Sequence, residues 1–110
     1  MKALTERLRS FRDERDWDQF HTPKDLALSV SVEASELLEL FQWRSEVAPI
    51  DEAMKQALES EIADVFSYLL LLCDKTGIDL IQATNKKIDL NKQRFPADAS
   101  RGVAKPTQEN

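Results

Sequence analysis

Between Asp51 and Gly77 the chain carries Met54, Leu58, Val65, Tyr68 and Leu72 at helical spacing and meets no proline or glycine on the way. Apolar residues recurring every three or four positions belong to an amphipathic helix. Asp51 and Gly77 are the residue types that open and close one, as an N-cap and a left-handed terminator. The same signals recur upstream. Thr22, Pro23 and Asp25 supply an N-cap, a first-turn proline and a carboxylate at the positive helix end, and predict a helix reaching Phe41 or Trp43. Leu4, Leu8 and Phe11 predict a helix over residues 4–15. Asp79 caps another that runs to about Arg94, ahead of Pro96. With only two glycines and four prolines, the expected class is all-α: a four-helix bundle-like domain over residues 1–96. Residues 97–110 hold Gly102 and Pro106 without an apolar period, and are expected as a flexible tail.

On a helical wheel Leu26, Val30, Leu37 and Leu40 share one sector, and Glu33 and Glu36 fall inside it. The apolar stripe of the long helix likewise contains Glu61 and Asp64. Each pair is spaced i, i+3, which makes its side chains neighbours on one helix surface. A single such pair is most often a solvated edge. Two matched pairs, each centred in an apolar stripe, instead direct four acids into one interior, where unpaired carboxylates are costly and like charges worse. A hard divalent cation answers both costs, and magnesium is the one usually shared between carboxylates and phosphates. Glu39 and Glu59 point elsewhere on their helices.

The last long helix places Leu80, Thr84, Lys87, Ile88, Asn91 and Arg94 on one side. Lys87, Asn91 and Arg94 therefore suit phosphate oxygens, although cations near a helix C-terminus are also favoured by its dipole. Trp17, Phe20, His21, Trp43 and Tyr68 are available to wall a flat base; for each alone, core packing is the commoner role. His21 is the sole histidine, so the Glu-x-x-His motifs of a di-iron bundle are missing.

The net charge of −5 argues against binding a nucleic-acid polymer through its backbone. One cysteine, Cys73, excludes an intrachain disulfide and a multi-cysteine zinc site. The longest apolar stretch, residues 65–73, is too short to cross a bilayer, and the N-terminus lacks a signal core. A soluble, cytoplasmic protein without a membrane partner is expected. A domain this small leaves much apolar surface unburied, which favours self-association through the long helices.

Taken in order, Trp17-Asp18-Gln19-Phe20-His21, Glu33-Ala34-Ser35-Glu36, Glu39-Leu40-Phe41-Gln42-Trp43, Glu61-Ile62-Ala63-Asp64 and the stretch from Lys87 to Pro96 resemble the MazG-like all-α pyrophosphohydrolases, in particular their dCTP pyrophosphatase branch. The resemblance implies magnesium on Glu33, Glu36, Glu61 and Asp64. It implies a base pocket from Trp17, Asp18, Gln19, Phe20, His21, Trp43 and Tyr68, and triphosphate contacts from Lys87, Asn91 and Arg94. It also implies a homodimer or homotetramer. Two positions depart from the pattern: Val32 stands where the family often has a further glutamate, and Leu8 where the dCTP branch can carry a histidine.

The expected reaction is cleavage of a nucleoside triphosphate, dCTP or a related dNTP, to the monophosphate and pyrophosphate, with Glu33 or Glu36 managing the attacking water. Relatives acting on dUTP or phosphoribosyl-ATP share a similar acidic core. The rival class is a non-catalytic helical module that binds nucleotides or a protein partner.

Overall fold

A computed structural model describes residues 1–104. The elements are α1 (Lys2–Glu14), a 3₁₀ turn (Asp18–Phe20), α2 (Pro23–Glu39), α3 (Glu52–Thr76), α4 (Leu80–Arg94) and the short α5 (Ala97–Ser100). The all-α class expected from the sequence is what the described residues show. No helix among them is long and apolar enough to cross a membrane.

The capping residues act as expected. The Thr22 hydroxyl accepts from the Asp25 N–H at 3.1 Å, and Asp51 and Asp79 accept from Met54 and Gln82 at 2.8 and 3.0 Å. Each thereby satisfies one of the N–H groups that a helix start leaves without an intrahelical partner. Gly77 ends α3 at φ +72°, a left-handed conformation that glycine adopts without steric cost. α2 stops at Glu39, short of Phe41 and Trp43. Its exit tightens into i→i+3 bonds from the N–H groups of Leu40, Phe41 and Gln42, and Trp43 closes it at φ +67°.

The chain divides into two compact units, the first covering Met1–Ile78 and the second beginning at Asp79. In the first, α3 packs chiefly on α2 and more lightly on α1. Its apolar core is thin: Leu26 from α2 with Met54, Leu70 and Leu71 from α3 are buried. Leu28, Val32, Leu38 and Ile62 remain exposed on α2 and α3.

In the second unit α4 is followed by Phe95, whose ring lies 5.4 Å below the Arg94 guanidinium. Within the stretch expected as a tail, residues 97–100 form one helical turn. Residues 105–110 of that expectation lie outside the described part.

Candidate active site

Because Thr22 and Asp51 set where α2 and α3 begin, Glu33 and Glu36 come to the α2 side of the seam between those helices, and Glu61 and Asp64 to the α3 side. Glu33, Glu61 and Asp64 each bring one carboxylate oxygen within 4.8 Å of the others. Glu36 stands near enough for its carboxyl to act on those of Glu33 and Glu61. Three of the four acids bring ligand oxygens together, and the group does not lie in an interior. Glu33 and Glu61 are half-buried, and Glu36 and Asp64 are exposed. A wheel ranks residues by angle and takes no account of how much chain covers them, and the thin core leaves this part of the seam open.

The electrostatics are those of like charges held together. The hydrogen bond with Glu36, then burial and the charges of Glu36, Asp64 and Glu61, push the Glu33 carboxyl up to about 7. Burial, followed by the charge of Glu36, raises Glu61. Tyr68, one turn beyond Asp64, is raised by burial and by Glu33.

Oε2 of Glu33 and Oε2 of Glu61 are buried and meet no hydrogen-bond donor. Such atoms are rare because each carries a desolvation cost without return. Two of them on oxygens of neighbouring acids fit a divalent cation, which takes oxygen ligands of this kind.

A cavity of about 270 Å³ opens against the cluster, lined by Leu8, Phe11, Arg12, Trp17, Asp64, Ser67, Tyr68 and Leu71. Asp64 thus belongs to both the acid cluster and the cavity wall. Trp17 meets Phe11 edge to face, with centroids 5.7 Å apart and planes at 74°.

Of the expected base-pocket residues, Trp17 and Tyr68 line this cavity and the others do not. The Asp18 carboxylate accepts from Lys75 Nζ at 2.6 Å and lies 3.3 Å from Arg12 Nη1. Gln19 donates to the Asp16 carbonyl and carboxylate at 3.0 and 3.1 Å. Gln19 is thus engaged locally, in closing the turn before α2, while Asp18 reaches across to α1 and α3. Phe20 is 61% and Trp43 93% exposed; Trp43 follows the early end of α2, which turns it outward. His21 is half-buried, with a buried Nδ1 that has no hydrogen-bond partner. Its pKa is lowered by burial and by Arg12. Lys87, Asn91 and Arg94 belong to the second unit, where Lys87 is exposed and the other two are half-buried on α4.

Sequence reasoning passed over Arg12 and Ser67 as cavity residues and took Phe11 only as a core position. The available signal was spacing, since Arg12 stands four residues after Leu8 and so shares its face.

The chain is 45% identical over 98 residues to mouse (Mus musculus) dCTP pyrophosphatase 1, covering 86% of this chain and 58% of that one. It is 38% identical over 99 residues to the human (Homo sapiens) protein of the same name, with the same coverage. The chain therefore spans somewhat over half the length of the curated relatives it matches. Among solved structures, a pyrophosphatase from Archaeoglobus fulgidus DSM 4304 superposes with a TM-score of 0.82 at 47% identity, over 87% of this chain and 92% of that one. Residues 28–109 match the MazG-like family; with the acid pairs on adjacent α2 and α3 and an all-helical fold shared at that identity, the chain belongs to the MazG-like family.

Proposed function

We propose that this chain is a magnesium-dependent nucleoside triphosphate pyrophosphohydrolase with dCTP as its first candidate substrate. The observation that carries the proposal is the sharing of Asp64 between an acid cluster suited to a cation and a cavity walled by Trp17 and Tyr68. At about 270 Å³ the cavity is just smaller than most ligand pockets, which run from roughly 300 to 1,000 Å³. It has room for a base, while the triphosphate lies outside, against the acids.

Glu33, Glu61 and Asp64, with Glu36 beside them, would hold the metal. Bound there, it supplies Lewis-acid polarisation of phosphate oxygens and a more acidic water. In the reaction, water oxygen bonds to the α-phosphorus as the bond from that phosphorus to the α,β-bridging oxygen breaks, leaving a nucleoside monophosphate and pyrophosphate. Glu33 or Glu36 accepts the proton that the water loses. Trp17 and Tyr68 offer flat apolar faces to the base, and Tyr68 adds a hydroxyl for its edge.

The relatives' names support the dCTP assignment, and the resemblance alone supports contacts from Lys87, Asn91 and Arg94 to the triphosphate. We also propose that the protein acts in the cytoplasm, as a homodimer or homotetramer that covers Leu28, Val32, Leu38 and Ile62. Sedimentation at micromolar concentration then finds no folded monomer. The functional test is pyrophosphate release from a panel of nucleoside triphosphates with and without magnesium. Orthophosphate as the first product, or no product from any triphosphate, overturns the reading.

A further inference from the structure

Arg12 is the one buried charged residue among the described residues, 9% exposed on a chain whose other acids and bases reach solvent. A charge is found in such a place only when it is paired, because desolvation is costly. Its partners come from three segments. Nε lies 2.9 Å from Asp13 on α1, while Nη1 lies 3.3 Å from Asp18 in the 3₁₀ turn and 3.9 Å from Asp74 near the end of α3. The partners are themselves held: Asp74 by the Arg9 guanidinium, whose Nε donates to it at 3.0 Å, and Asp18 by Lys75. Three cations meet three carboxylates, and the set is balanced.

The other end of Arg12 matters as much. Its carbonyl accepts the Trp17 N–H at 3.0 Å and the Arg15 N–H at 3.2 Å. Between those two donors the chain turns sharply, with Asp16 at φ +54° secured by the Gln19 amide. One residue therefore grips the backbone of Trp17 with its carbonyl and the neighbouring Asp18 with its guanidinium. Trp17, so gripped, stands against Phe11 as a wall of the cavity.

We propose that Arg12 is a positioning residue: the clamp formed by Arg9, Arg12, Asp18, Asp74 and Lys75 ties the turn carrying Trp17 to α3, and so fixes the aromatic wall against which the substrate base stacks. The proposal deepens the pyrophosphohydrolase reading and rests on it for the identity of the ligand. Neither Asp74 nor Lys75 lines the cavity, so an effect of changing them on base binding has to travel through the clamp.

The test uses Asp74→Asn and Arg12→Lys in the full chain, the first near-isosteric and the second keeping the charge while losing the fork that spans several carboxylates. With dCTP, KM is expected to rise about tenfold in Asp74→Asn while kcat stays within about twofold, the pattern of lost binding shared by ground and transition states. In parallel, Trp43→Phe leaves Trp17 as the only indole. In that background Asp74→Asn should make Trp17 fluorescence more easily quenched by acrylamide. Arg12→Lys should fall between wild type and Asp74→Asn in both readouts. A drop in Tm with KM and quenching at their wild-type values overturns the proposal, as does a loss confined to kcat. Should no triphosphate release pyrophosphate from the wild type, the functional reading fails by itself and the quenching experiment decides the clamp alone.

Discussion

Two charged clusters sit on α3, one toward its middle and one near its C-terminal end, and they are built on opposite plans. Around Glu61 and Asp64 every charge has the same sign, carboxyl pKa values are driven upward, and two buried oxygens find no donor. Around Asp74 the signs alternate. Hydrogen bonding and charge from Arg9, then Arg12, hold Asp74 below the usual carboxylate range, and Lys75 followed by Arg12 does the same for Asp18. The contrast separates a site from a strut. The balanced cluster is complete in itself and adds to the stability of the fold, whereas the like-charged cluster detracts from stability until something else is bound.

The sharpest way to break that contrast is to neutralise one acid at each cluster. Glu61→Gln should reduce pyrophosphate release by at least about 100-fold, on the scale of removing a group that works with the metal and the water, and should raise the Tm of the metal-free protein. If Glu61→Gln lowers Tm and spares turnover, the acids are structural and the comparison collapses.

Removing the central cation of the strut comes next. Arg12→Ala leaves Asp74 to Arg9 and Asp18 to Lys75, and with Asp13 and Asp18 about half exposed it should cost about 1–2 kcal/mol, between an exposed pair and a fully buried one. Urea unfolding of the metal-free protein measures it. A cost near zero would mean that the clamp is ornamental.

Acidity should act on the two clusters in opposite senses. Glu33 has its folded-state pKa raised from 4.5 to about 7, so the protonated form stabilises the metal-free fold fully below about pH 4.5. That contribution is lost as pH rises through about 7. Asp74 and Asp18 are lowered from 3.8, so their contribution is present above that value and lost as pH falls beneath it. Thermal melts of the metal-free protein should therefore peak at mildly acidic pH, declining toward pH 8 and again below pH 4. Magnesium at 100 times its Kd adds about 2.7 kcal/mol and should cancel the alkaline decline. A melt curve unaffected by magnesium at pH 8 contradicts the cation site.

The smallest effect concerns Lys75, whose partner Asp18 is largely exposed. Pairs of that kind contribute little and are screened by salt. Lys75→Met should lower Tm slightly at low ionic strength and not at all in 1 M NaCl.

Much of this was legible in the residues, and the part that was not has a common cause. Thr22, Asp51, Gly77 and Asp79 mark helix ends through local chemistry that acts within one turn, so the helix boundaries follow from them. The end of α2 was overrun because no glycine or proline stands at residues 40–43. The stop there comes from a tightened last turn and a left-handed Trp43, which no side-chain signal announces. The acid pairs were recoverable because i, i+3 spacing is a statement about one helix face. The division of the aromatics was not. Whether Trp17 lines a cavity and Phe20 or Trp43 faces outward depends on how the segments carrying them fold back on α1 and α3, which helical spacing does not specify. Arg12 was invisible for the same reason, since its partner Asp74 lies on another helix.

The unbroken run of α3 over Glu52–Thr76 has a last consequence. A helix advances about 1.5 Å and turns about 100° per residue, so Asp64, Tyr68, Leu71 and Asp74 are graduations on a rigid rule. The acid cluster and the cavity wall are set apart along that rule. Inserting a single alanine between Asp64 and Leu71 would keep every functional side chain and preserve helical propensity, yet swing the acids a quarter-turn away from the cavity wall. Length, in this helix, sets the register between the acids and the cavity wall.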